Sequence, residues 1–414
     1  MTGLGAGRYL APARIPASAR TTAHELTTHD GATVNGLLRV VPGATTVAFL
    51  MHPRQDFSHH VLVPELLSHG FAVWTQGARA VGNDLNLLHE QALLDMAAGY
   101  TFLRDLGFES IIAVGHSGGA TLAAFYLQQA ARDPGARLDH TPGGKPIPLP
   151  EATMPPADGL ILFAPHPGQG ALLQRMIDPS VTDETDPLSV DPDLDPYDER
   201  NGFAPPPDSS TYSPEFVERY RAVQGARIER IDAVARERVA AARAARKRFS
   251  AHDDPRDRRA SLATGVIVVH RTDADLRSVD LSLDPNDRPY GSLFGRRPDL
   301  TNYGIVGFGR LTTPEAWLST WSANATRADL AACAPDADLP ALVVELTGDQ
   351  ACFPADAARF AELLPHQDVT HVRVPGRHFG APLHEGMASG ATLAGKEMAH
   401  WIGERFPSGA FVSA

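Results

Sequence analysis

Residues 111–120 read Ile111-Ile112-Ala113-Val114-Gly115-His116-Ser117-Gly118-Gly119-Ala120. An apolar, β-branched run ends in a glycine-flanked serine, and a small-residue helical pattern starts at once. The order is strand, sharp turn, helix, with Ser117 at the apex. Glycine on both sides suits a turn whose apex residue is strained and whose neighbours pass close to other backbone. Such an elbow lifts a hydroxyl above the end of a sheet, where a base can reach it. The pentapeptide alone arises by chance. The strand before it and the helix after it give it weight.

The pattern on either side is an alternation of strands and helices. Ala23–Thr28 and Thr33–Val41 read as two strands joined by His29-Asp30-Gly31-Ala32, where Asp-Gly is a turn signal. Thr46–Met51 is a third strand, ending at His52-Pro53, and Ala72–Thr75 a fourth. Pro64–His69, Leu87–Leu103 and Ala120–Arg132 read as helices. Leu160–Phe163, Ala341–Leu346 and Thr370–Val374 complete the strands. Helices over Ala355–Leu364 and Gly390–Arg405 follow the last two. This alternation predicts an α/β fold, a mostly parallel central sheet flanked by helices.

The alternation breaks between about Pro167 and Leu339. A Pro- and Asp-rich stretch, Asp183 to Pro207, reads as loop. A long helical pattern over Pro214–Phe249 follows, with Phe216, Tyr220, Val223, Ile231 and Val234 on its apolar side and Gly225 as a candidate kink. Its far half is basic, from Arg236 to Arg248, and reads as a solvated face or as a partner for the acidic loop before it. The expected division is a flexible leader over 1–22, a core domain over 23–168 and 339–414, and a large, mainly helical cap over 169–338, inserted after the sixth strand.

Composition removes several classes of function. The chain has 414 residues, 43% hydrophobic and 21% charged, as ordinary soluble globular proteins do. Lys+Arg 37 against Asp+Glu 49 gives −12, which disfavours nucleic acid and anionic membrane surfaces as partners. Only Cys333 and Cys352 are present, so no disulfide framework exists, and a reducing compartment such as the cytoplasm fits. No run approaches the ~20 apolar residues of a membrane span. The expected partner is a small-molecule substrate, with a homodimer through the cap as the candidate assembly.

A serine hydroxyl is a poor nucleophile near neutral pH and needs a base, which in turn needs an orienting acid. His378 follows the last strand through Pro375-Gly376-Arg377, a loop position from which it could reach Ser117. Asp349 follows Ala341–Leu346 through Thr347-Gly348. Glu345 lies inside its strand and faces the sheet, and Asp356 sits in the first turn of the next helix, where it favours the dipole.

The elbow and the order Ser117…Asp349…His378 resemble the α/β-hydrolase superfamily over roughly residues 23–168 and 339–414. Some members carry the acid one strand earlier. Here that place reads Ala164-Pro165-His166-Pro167-Gly168, without a carboxylate, which favours Asp349. The resemblance implies an oxyanion hole with the Gly118 N–H as one donor. The second should come from the turn after the third strand, where relatives carry His-Gly. This chain has His52-Pro53-Arg54-Gln55, and proline has no N–H. Arg54 is the expected donor, with Gln55 the alternative.

His52, Gln55, His116, Trp317 and Trp321 are the expected substrate-binding residues, the two tryptophans drawn from an aromatic-rich cap that includes Tyr212, Tyr290, Phe294, Tyr303 and Phe308. Asn83 and Asp84 are placed near the rim. The implied activity is ester hydrolysis, including lactones and thioesters, with no metal or organic cofactor. The same triad also serves amide or carbon–carbon bond hydrolysis, and the fold also serves non-catalytic small-molecule binding. Asp191-Pro-Asp193-Leu-Asp195 fails as a calcium loop because Pro196 and Gly202 occupy its sixth and twelfth positions. His59-His60 has no metal-spaced partner, and Gly143-Gly144-Lys145-Pro146 is not a phosphate loop.

Overall fold

The computed structural model describes residues 13–406. Residues 1–12 of the expected leader lie outside that range, and Arg20 to Thr22 already belong to the first strand. Eight strands form one sheet: β1 (Arg20–Thr27), β2 (Thr33–Val40), β3 (Thr46–His52), β4 (Ala72–Gly77), β5 (Ser110–His116), β6 (Gly159–Phe163), β7 (Ala341–Leu346) and β8 (Val369–Val374). Their order is β1-β2-β4-β3-β5-β6-β7-β8. β1 and β2 pair antiparallel, as do β2 and β4, and every other pairing is parallel.

The two faces of the sheet follow from side-chain alternation. On β3, Val47, Phe49 and Met51 join one core, and Ala48 and Leu50 join the other. Ile111 and Ala113 of β5 likewise oppose Ile112 and Val114. The first face is covered by α2 (His89–Asp105), α3 (Gly118–Ala131) and α7 (Pro354–Leu363), where Tyr100 stacks between Phe49 and Tyr126 at ring separations of 4.5 and 4.7 Å. The second face is covered by α1 (Leu62–Ser68) and α8 (Gly390–Arg405), through Leu66, Met398 and Trp401. Central strands buried on both faces read as continuous apolar runs, which is how β3 and β5 appear in the sequence.

Between β6 and β7 the chain forms α4 (Gln169–Met176), the 39-residue α5 (Pro214–His252) and α6 (Pro255–Leu262), with loops and a two-residue ladder of Ile267–Val268 on Leu311–Thr312. α5 runs through Gly225 without a break. Its inward face is not the apolar stripe expected. Val234 is exposed, and Gln224, Arg227 and Asp232 are buried alongside Phe216, Tyr220, Ile228 and Ile231. The fully buried Arg227 is satisfied by Glu184 and by the carbonyls of Asp178 and His270. The basic half is the solvated face expected, exposed from Arg236 to Arg248 at its cationic positions, and its bonds go to neighbours other than the acidic loop: Arg248 with Asp257 of α6, Arg238 with the Val266 carbonyl, Arg243 with the Gly143 carbonyl.

Candidate active site

Ser117 occupies the turn between β5 and α3 with φ 56° and ψ −121°, a strained conformation for a residue with a side chain. Close packing dictates the flanking glycines. A Cβ on Gly115 would collide with the Ala120 backbone, and one on Gly119 would lie 2.6 Å from the Met51 carbonyl oxygen. The Ser117 hydroxyl faces His378 Nε2 at 3.0 Å. His378 Nδ1 lies 2.8 Å from Asp349 Oδ2 and 3.0 Å from Oδ1. Ser117 is 9% exposed, His378 3% and Asp349 0%. Asp349 Oδ1 also accepts the N–H groups of Ala351 and Cys352 at 2.7 and 3.0 Å, which fixes the carboxylate on its loop. Because the carboxylate can only accept, Nδ1 of His378 carries the proton. Nε2 is then left as the acceptor for the serine hydroxyl.

A second histidine chain holds His378 from its other side. The Leu62 N–H donates to His60 Nδ1 (3.3 Å), His60 Nε2 faces His116 Nδ1 (2.8 Å), and His116 Nε2 faces the His378 carbonyl oxygen (2.9 Å). The carbonyl end requires Nε2–H on His116, and the amide end requires Nε2–H on His60, so one set of neutral tautomers satisfies every link. Burial pushes His60 down to about 3 and His116 well below its ordinary value, the latter aided by the neighbouring His60 and His378.

Asp349, Cys352 and His378 present a carboxylate, a thiol and an imidazole within 4.8 Å of one another, a donor set a metal could use. Their hydrogen bonds argue for other roles. His378 Nδ1 is committed to Asp349, and the Cys352 thiol donates to the Ala164 carbonyl. Burial, together with Asp349 and Asp356, pushes the thiol well above its usual range and so disfavours the thiolate a metal requires.

Several expected contacts are placed differently. The N–H groups of Arg54 and Gln55 both donate to His52 Nδ1, at 3.0 and 2.9 Å, so neither faces an oxyanion. The turn closes on its own histidine because Pro53 leaves no donor before them. The Gln55 side chain is exposed. His116 has both nitrogens committed to protein partners, which leaves none for a substrate. Trp317 is fully buried in the cap core, its Nε1 donating to Asp232 at 2.7 Å. Trp321 is also fully buried but reaches the core domain, with the Arg54 guanidinium 4.6 Å from its ring. Asp84 holds that guanidinium through Oδ1 and Oδ2 at 2.8 and 2.6 Å. Glu345 pairs with Arg373 across the β7–β8 edge, and Asp356 pairs with Arg175 of α4.

The residues missed by sequence reasoning are mainly histidines. His60, His89 and His166 are all buried, with His60 linked through His116 to His378, His166 beside Gly118 and His89 against Ser319. The available signal was position: His52 ends β3, His116 ends β5, and His166 and His378 lie just beyond β6 and β8. All four therefore sit at the carboxyl end of the sheet, where sites form in such folds.

The segment between β6 and β7 is hooked to this end of the sheet. Ser319, in the π-helical turn Trp317–Trp321, accepts the His89 N–H and donates to Glu90 Oε2 at 2.6 Å. Asn286 donates to the Asp349 carbonyl, Asp287 N–H to the Thr347 carbonyl, and Gln350 to the Gly291 carbonyl. The acid loop is thus shared between cap and core.

The sheet order with its antiparallel second strand, the strained serine elbow and the hydrogen-bonded line Ser117–His378–Asp349 at the ends of β5, β7 and β8 are the features of an α/β-hydrolase fold. No family model and no curated protein matches the sequence. Among solved structures, the chain is similar to DcsB in complex with its substrate analogue, at 13% identity over 94% of this chain and 100% of that one, TM-score 0.49. It is also similar to the esterase domain of a Rhodothermus marinus protein, at 10% identity over 92% and 98%, TM-score 0.43. An α/β fold family hydrolase from Bacillus anthracis str. Sterne stands at 10% identity over 93% and 99%, TM-score 0.42. Likeness at this level carries no information about substrate. Among the described residues, no helix is long and apolar enough to cross a membrane.

Proposed function

We propose that the chain is a serine hydrolase that cleaves a carboxylic ester of a small molecule, lactones and thioesters included, through an acyl-enzyme. The observation that carries this reading is the continuous relay from the Ser117 hydroxyl to His378 Nε2 at 3.0 Å and from His378 Nδ1 to Asp349 at 2.8 Å. Ser117 attacks the carbonyl as His378 takes its proton. The Ser117 Oγ–carbon bond forms while the carbonyl π pair moves onto oxygen. Collapse of that intermediate expels the leaving group, which takes the proton from His378. Water, deprotonated by His378, then releases the acid by the same steps. Asp349 holds the imidazole and stabilises its charged form. The Gly118 N–H, first in α3 and without an intrahelical carbonyl to pair with, is one oxyanion donor. The cap over 169–338 selects the substrate.

A hydrolysis screen across ester chain lengths, lactones and thioesters tests the reading, with Ser117→Ala as the blank and matched amides and β-diketones alongside. Turnover of an ester series that vanishes in the blank supports it. Turnover that survives Ser117→Ala, or that appears only on the β-diketones, contradicts it.

A further inference from the structure

The imidazole Nε2 atoms around Gly118 have no hydrogen-bond partner among the described residues. His52 Nε2 and His166 Nε2 each lie 3.0 Å from where a Cβ on Gly118 would stand, and the Gln169 carboxamide comes closer still. His52 is 2% exposed and His166 3%. Both Gln169 polar atoms are buried without a well-formed hydrogen bond among the described residues, with His89 as a polar neighbour. The tautomers follow from the backbone. His52 Nδ1 accepts two N–H groups, and His166 Nδ1 accepts the Gly168 N–H at 3.0 Å, so each ring carries its hydrogen on Nε2. Buried donors are normally satisfied, so a set left open around the residue after the nucleophile points to an acceptor supplied from outside the protein.

The backbone supply is exhausted at this place. Pro53 has no N–H, and those of Arg54 and Gln55 are spent on His52 itself. Those two bonds also aim the imidazole. His52 ends β3 at the turn from which this fold draws its second oxyanion donor, and its Nε2 reaches Gly118.

We propose that the Nε2–H of His52 is the second oxyanion donor, replacing the loop N–H that the Pro53 turn lacks. The donor is a neutral imidazole. It transfers no proton, and it shortens its hydrogen bond as the carbonyl π pair moves onto oxygen. Burial, with Arg54 beside it, keeps the ring uncharged well below its ordinary range, so the hole stays set across the working pH of the triad. A neutral buried imidazole can polarise a carbonyl in this way.

The proposal rests on the serine-hydrolase reading, and its test separates the two. Rates of phosphonylation by a fluorophosphonate are compared for the wild type, His52→Asn and His52→Gln, with melting curves for each. Asparagine keeps an oxygen near the Nδ1 position for the Arg54 and Gln55 N–H groups but has no Nε2. Glutamine keeps a donor near Nε2 and gives up the acceptor. The expected result is a loss of about 10²–10³-fold in His52→Asn with a native melt, and a rate within about tenfold of wild type in His52→Gln. A His52→Asn rate within about threefold of wild type overturns the proposal and leaves the serine hydrolase standing. Equal losses in both variants with native melts overturn it too. A wild type that does not react at Ser117 overturns the hydrolase reading, and this proposal with it.

Discussion

Asp349 Oδ1 accepts the N–H groups of Ala351 and Cys352 while the same carboxylate grips His378 Nδ1, its Oδ2 at 2.8 Å. Its own loop thus fixes the Asp349 carboxylate where it meets the imidazole. Asp349→Asn keeps an oxygen for the two N–H groups but offers His378 an N–H where it needs an acceptor. The imidazole then takes the wrong tautomer. The expected outcome is a native melting curve with kcat lowered by about 10⁴-fold. Activity within tenfold of wild type would show that Asp349 does not orient the base.

Buried neutral imidazoles make the fold sensitive to acid. Burial lowers His60 and His166 to about 3 and His89 to about 4. A lowered folded pKa means the unfolded chain binds the proton first. Stability is thus fully present above pH ~6.5 and is lost as pH falls toward the folded values. Each ring forfeits about 2 kcal/mol between pH 6.5 and 5, a figure that needs only a folded pKa below 5. Three rings together lose a sizeable share of the roughly 5–15 kcal/mol available to a domain. The melting temperature should drop steeply from pH 7 to pH 5. A flat profile over that interval contradicts the neutral assignments.

Glu90 has the opposite sign. Burial raises it to about 7, against which the Ser319 hydroxyl acts only partly. The folded state holds this proton longer than the unfolded one, so its contribution is present below pH ~4.5 and lost as pH rises toward 7. The loss is about 3 kcal/mol in order of magnitude. Glu90→Gln retains the acceptor for Ser319 and removes the titration. Its melting temperature should exceed that of wild type at pH 8 by more than it does at pH 5. An advantage independent of pH would assign it to packing.

Gly118 is required by its neighbours rather than by its own backbone. A methyl there would press on the Gln169 carboxamide and on the Nε2 atoms of His52 and His166. Gly118→Ala should therefore destabilise by about 1–3 kcal/mol and lower turnover. Denaturant titration beside an activity assay checks both, and an unchanged midpoint with unchanged rate would show the pocket to be roomier than described.

The core of the fold was legible because its signals are local. Ile111 to Ala120 carries the elbow in consecutive residues, and Asp349 and His378 each follow a recognisable strand. The cap resisted because its interior is polar. Arg227 and Asp232 break the apolar stripe of α5, and both are satisfied by partners distant in sequence, Glu184 for one and Trp317 for the other. The turn after β3 resisted for a related reason. The sequence supplies N–H groups at Arg54 and Gln55 and an acceptor at His52, and only three-dimensional closure reveals that they meet one another.

The most direct measurement is to expose the folded protein to a fluorophosphonate and locate the adduct by mass spectrometry. The expected result is a single phosphonylated residue, Ser117, no adduct in Ser117→Ala, and slow labelling in Asp349→Asn. Labelling elsewhere, or none at Ser117 in a protein with a native melt, would contradict it.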